Sequence, residues 1–358
     1  MAQNKPDRGP IMVRLGVRRP AMPRDRPVKA SDHRLATVEA RALWYVAPGA
    51  AELRAVTHPL PGPGDVQVRT LYSGLSRGTE RLVFEGRVPK SEWERMRAPA
   101  QTGDFPFPVK YGYAAVGEIE AGPKQLLKQH VFALYPHQDR FVVPIDDIVV
   151  IPKGVPARRA VLTANLETAL NILWDGNAAP GDRIVVIGSG IVGLLVAALA
   201  ARMPGAEVTA VDVDPARGSV AEKLGVAFAD PGSAPRGADL VIHTSATEAG
   251  LSLAFECAGD EATIVEASWH GEDACHVSLG GAFHSRRLKL VSSQVGDIAC
   301  SRRPRWTRRR RLETAARLLV DERLDALLGE EIPFAELPQH LSRLFARGAA
   351  GIGALVRY

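Results

Sequence analysis

Residues 184–193 read IVVIGSGIVG and are followed at 206–214 by AEVTAVDVD. Three glycines at the GxGxxG spacing, Gly188, Gly190 and Gly193, close an apolar strand-like run and open an apolar helix-like one. Asp212 ends the next strand-like run, 19 residues after Gly193. A lone glycine pattern says little, but strand, glycine turn, helix, strand and terminal acid together form a dinucleotide-binding fingerprint. Gly188 suits the tight turn, and Gly190 lets backbone N–H groups approach a pyrophosphate. Gly193 permits close packing of helix on strand. Ile191 and Val192 then form the first helical turn under the phosphates. Asp212 would accept hydrogen bonds from a ribose and repel a 2′-phosphate, so NAD is expected rather than NADP. Arg217, close after it, works against that exclusion.

Outward from this stretch the pattern stays of one kind. After EVTAVDVD come ARGSVAEKLG, AFAD, ADLVIHTS, TEAGLSLAFECAG, TIVEASW and LKLVSSQ, apolar strands alternating with helices of about ten residues. Such alternation predicts a doubly wound parallel α/β sheet. His243, Thr244 and Ser245 end one of these strands, and Ser268, Trp269 and His270 follow another, where ligands sit in open α/β sheets.

Upstream the reading changes. RALWYV, ELRAVTHPL, VQVRTLYS, AAVGEIEAG, HVFALYP, RFVVP and DIVVIP are short strands punctuated by Gly and Pro, a β-rich domain. Leu162, Leu166, Leu170 and Leu173 then fall at helical spacing. Beyond Trp306 two helices lead to GALVRY, a strand that suits the β-rich half better than the parallel sheet. The expected division is a basic extension at 1–38 without fixed structure, a β-rich domain at 39–160, the dinucleotide domain at 161–305 and a return to the first domain at 306–358.

Charge and composition exclude several classes. Of the net charge of +5, residues 1–38 account for more than all, with nine Lys or Arg against three Asp, so the rest sums to −1. A broad nucleic-acid face is not expected. The prolines at 6, 10, 20, 23 and 27 argue against an amphipathic targeting helix there. No apolar run approaches the roughly 20 residues of a membrane span. Three unevenly spaced cysteines, Cys257, Cys275 and Cys300, suit a reducing cytoplasm and suggest no zinc cluster. The run RRPRWTRRRR at 302–311 holds seven Arg and no acid. It reads as a solvated face or subunit contact, with an anionic ligand or nucleic acid as the alternative.

The order of these segments, with SGLSRGTE (73–80), FEGRVP (84–89), FPFPVKYGYAAVGEIEAG (105–122) and FVVP before IPKGV, resembles the medium-chain dehydrogenase/reductase superfamily, the zinc alcohol dehydrogenase group. Within it, SGLSRGTE is most similar to the branch containing bacteriochlorophyllide dehydrogenase. The resemblance implies a GroES-like catalytic domain beside a Rossmann domain, and a homodimer joined through the sheet edge at LKLVSSQ. In zinc members the loop matching SGLSRGTE supplies a Cys ligand, the segment matching KYGYAAVG reads Gly-His-Glu, and a later helix adds another ligand. Here those positions hold Ser76, Tyr113, Ala114 and, near TANLETA, Ala164, with Glu167 close by. The lobe for a structural zinc shrinks to a connection containing His137, Gln138 and Asp139. Neither zinc site is expected to be metallated.

Gly78-Thr79-Glu80 resembles the run in which the superfamily's Thr or Ser relays the alcohol proton, with one residue inserted. Arg77 matches an Arg that meets the cofactor pyrophosphate in relatives. The expected chemistry is hydride exchange between NAD and a secondary alcohol or ketone. Tyr113 would be the acid in place of zinc, Thr79 and Ser76 would pass the proton, and Glu167 would serve as base or supporting group. A zinc-free enoyl or quinone reductase and a non-catalytic NAD-binding protein are the rivals.

Overall fold

The structure is a computed structural model that describes residues 37–358. The expectation for the basic extension lies outside those residues, except that its last two, Thr37 and Val38, already belong to a strand.

Strand Thr37–Ala47 alternates exposed and buried residues and pairs antiparallel with Ala50–Pro59 across a tight turn at Gly49. Such alternation is what a sheet with one covered face requires. Strand Asp65–Gly74 lies at the centre of a seven-stranded sheet. On one side it pairs with Ala115–Ala121, which continues to His130–Ala133 and Ile148–Val150, and it also pairs with Arg140–Pro144. On the other side the chain's end returns: Ala354–Arg357 runs antiparallel to Asp65–Gly74, with Val356 opposite Ser73, and Glu330–Pro333 flanks it. GALVRY is thus the strand that completes the β-rich half.

The second sheet is wholly parallel. Its spatial order is Ala227–Ala229, Glu207–Val211, Arg183–Ile187, Ala238–His243, Ala258–Glu266, Lys289–Ser292. In chain order this is the 3-2-1-4-5-6 arrangement of the Rossmann fold, and the topology reverses between the strand ending at Ile187 and the one ending at His243. That switch point is where such sheets open a ligand crevice. Helices Thr163–Asp175 and Ile191–Ala200 pack together through the fully buried Leu166, Ile172, Leu194 and Leu195. Each such side chain contributes about 1.5–3 kcal/mol by leaving water.

The arginine run is less uniform than its composition. Arg302 lies over Trp174 and Arg310 over Trp306, and the two indoles pack at 4.6 Å. Thr307 caps helix Arg308–Leu318 by accepting from the N–H of Arg310. Arg311 is 1% exposed, and its guanidinium donates to Glu167, to Asn171 Oδ1 and to the carbonyls of Val295 and Asp297. The last arginine of the run is therefore a core latch rather than a solvated residue. Removing one member of such a pair costs about 3–5 kcal/mol, because the other charge stays buried. Among the described residues no helix is long and apolar enough to cross a membrane.

Candidate active site

The glycine loop has the geometry of a dinucleotide cradle. Gly188 has φ +100°, and a Cβ there would lie 2.7 Å from Ser245 N, so both backbone conformation and space demand glycine. A Cβ on Gly193 would fall 1.9 Å from Gly188 O, which enforces close contact between helix and loop. Gly190 differs: its φ of −77° suits any residue, and nothing lies within 4 Å of the place a Cβ would take. The fold does not need that glycine, whereas a pyrophosphate brought against the helix N-terminus does. Asp212 accepts from Ser189 N at 2.6 Å and Asp214 N at 2.9 Å, fixing its carboxylate at the end of its strand beside the loop. The residues present therefore fit a dinucleotide.

Arg77 and Arg217 approach each other from the two halves. Arg77 donates to the carbonyls of Ala349, Ala350 and Gly351, and Arg217 donates to Gly351 O at 2.8 Å while pairing with Asp214. Burial, then the neighbouring Arg217, pulls the Arg77 guanidinium below its ordinary pKa. Segment 349–353 thus bridges the halves beside the cradle, and a Cβ on Gly353 would come 2.8 Å from the Ile191 side chain. Val192 stands beside Ile191 in the same helical turn.

In the β-rich half, Tyr113 leaves the strand Val109–Lys110 and sets its ring edge-on to Tyr111 at 6.1 Å. Its hydroxyl lies near those of Ser76 and Thr79. Burial, then the carboxylate of Glu80, pushes its pKa up to about 12, against a smaller downward pull from those two hydroxyls. Three residues predicted from the sequence therefore converge on one point.

Beneath them lies a network that sequence reasoning missed. Glu80 is fully buried and accepts from Tyr45 OH at 3.0 Å, Ser76 N at 2.9 Å and His137 Nε2 at 2.8 Å. His137 reaches Ser73 Oγ through Nδ1 at 2.7 Å, and Ser73 in turn meets Tyr358 OH at 2.9 Å. Gly112, at φ +123°, makes room, since a Cβ there would sit 2.9 Å from the His137 ring. His137 comes from the short connection that stands where a zinc lobe was expected. The available signal was an acid next to Thr79 and a histidine in that connection.

Glu167 is placed differently from the expectation. It is 6% exposed and its carboxylate accepts from Arg311 Nε at 2.9 Å. Burial raises its pKa, and Arg311 opposes that rise. Its partner Arg311 belongs to helix Arg308–Leu318, so the carboxylate is engaged in an ion pair between two helices. On the Rossmann side, Thr244 Oγ1 donates to Gly188 O at 2.7 Å, and Trp269 packs on the apolar cluster that Tyr113 also joins.

Zinc takes about four N, S or O ligands in tetrahedral geometry. The positions matching the superfamily's ligands offer a serine hydroxyl, a phenol whose proton is held to about pH 12, and two buried alanines, Ala114 and Ala164. That donor set does not fit the ion.

The alanine dehydrogenase/PNT C-terminal domain family matches residues 169–249, the stretch around the glycine loop. D-guloside 3-dehydrogenase of Escherichia coli K12 is 26% identical over 308 residues, spanning 77% of this chain and 87% of that protein. The fold superimposes on L-idonate 5-dehydrogenase of Escherichia coli with a TM-score of 0.74 at 14% identity, covering 90% of this chain and 99% of the other. The chain is similar in sequence to a sugar dehydrogenase and shares the fold of medium-chain dehydrogenases. A dehydrogenase of Sinorhizobium meliloti 1021 named as zinc-binding and solved with NADP also matches in fold, with a TM-score of 0.71 at 19% identity over 90% of this chain and all of that one. This chain carries hydroxyls, Ser76 and Tyr113, at the positions that the sequence resemblance matches to metal ligands.

Proposed function

We propose that this chain is an NAD-linked oxidoreductase that interconverts a secondary alcohol and its ketone without a catalytic zinc. What supports the reading is the Tyr113 hydroxyl, which lies near those of Ser76 and Thr79 and which, by the sequence resemblance, stands where zinc members carry a ligand. The dinucleotide, when bound, supplies the hydride acceptor or donor. Everything else falls to the chain's own groups. With a pKa of about 12, Tyr113 keeps its proton at neutral pH and donates a hydrogen bond to the substrate oxygen, stabilising negative charge where zinc would. Thr79 and Ser76 orient the phenol and exchange its proton. Glu80 and His137 hold the loop carrying them, and burial, then the Glu80 charge, keeps the phenol protonated.

Asp212 supports NAD over NADP, through the repulsion its carboxylate would exert on a 2′-phosphate. The matched relatives are named for a guloside and for idonate, both polyhydroxylated, which puts sugar-like alcohols first among substrates. A homodimer through the edge strand Lys289–Ser292 belongs to the same proposal, since that strand ends the parallel sheet and leaves Leu290 40% exposed.

The test is a screen of polyols, glycosides, simple secondary alcohols, ketones and enones for cofactor turnover, with bound metal measured on the same sample. Turnover of an alcohol–ketone pair by protein free of zinc is the expected result. One zinc per chain that survives dialysis, with activity lost on its removal, would overturn the metal-free reading. Turnover of enones alone would replace the alcohol chemistry with C=C reduction.

A further inference from the structure

The arginine run at 302–311 belongs to neither the glycine loop nor the hydroxyl cluster, and the chemistry above leaves it unused. Arg311 is buried, but of the six arginines before it Arg302 is half-buried and the other five are exposed. Residues 39–358 sum to −1 with the seven arginines of the run included, so the remainder of that body carries −8. The run is a compact positive patch on an otherwise acidic body.

Within the fold this charge is only partly neutralised. Arg308 pairs with Asp297 at 3.3 Å and Arg309 with Glu313 at 2.5 Å, and Arg95, from the β-rich half, adds a further cation beside Asp297. Arg302, Arg303, Arg305 and Arg310 pair with no carboxylate among the described residues. Arg303 Nε donates to Ile298 O and an Arg310 Nη to Arg305 O, so neutral carbonyls orient both cations without cancelling their charge. The nearest further acid, Asp175, feels the field of Arg303 but is engaged by Asn171 and Ser293. Helix Arg308–Leu318 opens with three arginines and no acid in its first turn. Cations there oppose the helix macrodipole, whose N-terminal end favours negative charge.

Two of the four unpaired guanidiniums are also held in place. Arg302, Trp174, Trp306 and Arg310 form one column, with the cations 5.6 and 4.0 Å from their rings at its ends and the indoles 4.6 Å apart between them. Stacking of this kind removes in advance part of the side-chain freedom that binding would otherwise cost.

We propose that this run is a docking surface for the phosphate backbone of duplex nucleic acid, bound without regard to base sequence. Guanidinium forks match phosphate oxygens bidentately, and the helix end favours the same negative charge. Single strands are held on aromatic platforms where bases stack, and here the indoles are covered by each other and by arginines. Helix Arg308–Leu318 buries Arg311, Leu312, Ala315 and Ala316, so its first turn meets the partner and no recognition helix enters a groove. None of the exposed large apolar residues lies in the run, which leaves a membrane surface nothing to take up. A two-fold contact between copies through this face would set arginines against arginines.

The experiment is fluorescence anisotropy of the full chain with a labelled DNA duplex of mixed sequence, across sodium chloride from about 50 to about 200 mM. Four phosphate contacts, one for each unpaired arginine, contribute a slope of about −3.6 in log K against log salt. Arg305→Gln should make the slope shallower by about 1 and weaken binding about tenfold at the low-salt end. Arg305→Lys keeps the charge and should stay within about threefold of wild type. The triple variant Arg303→Gln/Arg305→Gln/Arg310→Gln should lose about three units of slope, and Arg305→Gln alone decides if the triple variant does not melt like wild type. Binding through the basic residues 1–38 would survive these changes, so an unchanged slope in the variants overturns the proposal. So does a wild type that leaves the duplex free at about 50 mM salt. Tighter binding of poly-glutamate, of phosphatidylserine vesicles or of a single strand than of the duplex overturns it too, and assigns the patch to an acidic protein segment, a membrane or unpaired nucleic acid instead.

Discussion

Replacing Tyr113 with Phe removes one hydroxyl from the point where the chemistry is proposed to occur, and the structure sets the size of the effect. The phenol pKa is pushed up to about 12 by burial and then by Glu80, so at pH 8 only about one molecule in ten thousand is ionised. On the proposed mechanism Tyr113 is therefore a hydrogen-bond donor to the substrate oxygen, not a base. Deleting a preorganised donor of this kind costs about 10²–10³ in kcat, or ~3–4 kcal/mol. The fold should survive, because the phenyl ring keeps its contact with Tyr111 and the loss is one hydrogen bond worth about 0.5–1.5 kcal/mol. Stability also carries a pH signature. Between about pH 10 and 12 the unfolded phenol has released its proton while the folded one retains it, so the unfolded state binds fewer protons and stability falls as pH rises. Below pH 10 that contribution is complete, and Tyr113→Phe should lack the fall above it. The assay is steady-state turnover on the alcohol found by the screen, with thermal melts on the same samples. Turnover within about twofold of wild type, in protein that melts normally, would refute the donor role.

Three further perturbations test other parts of the site. Asp212→Asn should weaken NAD binding about tenfold and narrow its margin over NADP, read by calorimetry with both cofactors; tighter NADP than NAD binding by wild type would sink the argument from charge. Lys110 is 4% exposed, donates to Gln138 Oε1 and lies over the Tyr135 ring, and burial lowers its pKa to about 8. From about pH 8 to 10.5 the unfolded state binds more protons there, so wild type should gain up to about 3 kcal/mol relative to Lys110→Met over that window. Denaturant midpoints whose difference stays constant with pH would contradict the buried, depressed lysine. Leu290→Lys on the edge strand should convert a dimer into monomers in light scattering, and an unchanged mass would remove that edge as the contact.

The parts of this molecule that were legible in its sequence are those whose cause is local. A positive φ at Gly188 and the 1.9 Å approach at Gly193 act within a few residues, so GSGIVG announces its own geometry. Alternating strands and helices likewise follow from period alone. The hidden parts are pairings across sequence distance. Arg311 reads as surface charge because Glu167 stands 144 positions away, and the His243–Glu266 pair exists only once the strands are set in register. Glu80 and His137, 57 positions apart, belong to the same class, yet they bear most directly on the chemistry. A hydroxyl cluster of this kind needs something to keep its loop rigid. Burial raises the Tyr113 pKa and the Glu80 field adds to it, while Glu80 also pins Ser76 N, and His137 anchors Glu80 to the strand carrying Ser73. Hydroxyls at these positions and the buried acid beneath them are thus two halves of one arrangement, since Glu80 fixes the loop on which Ser76 and Thr79 stand.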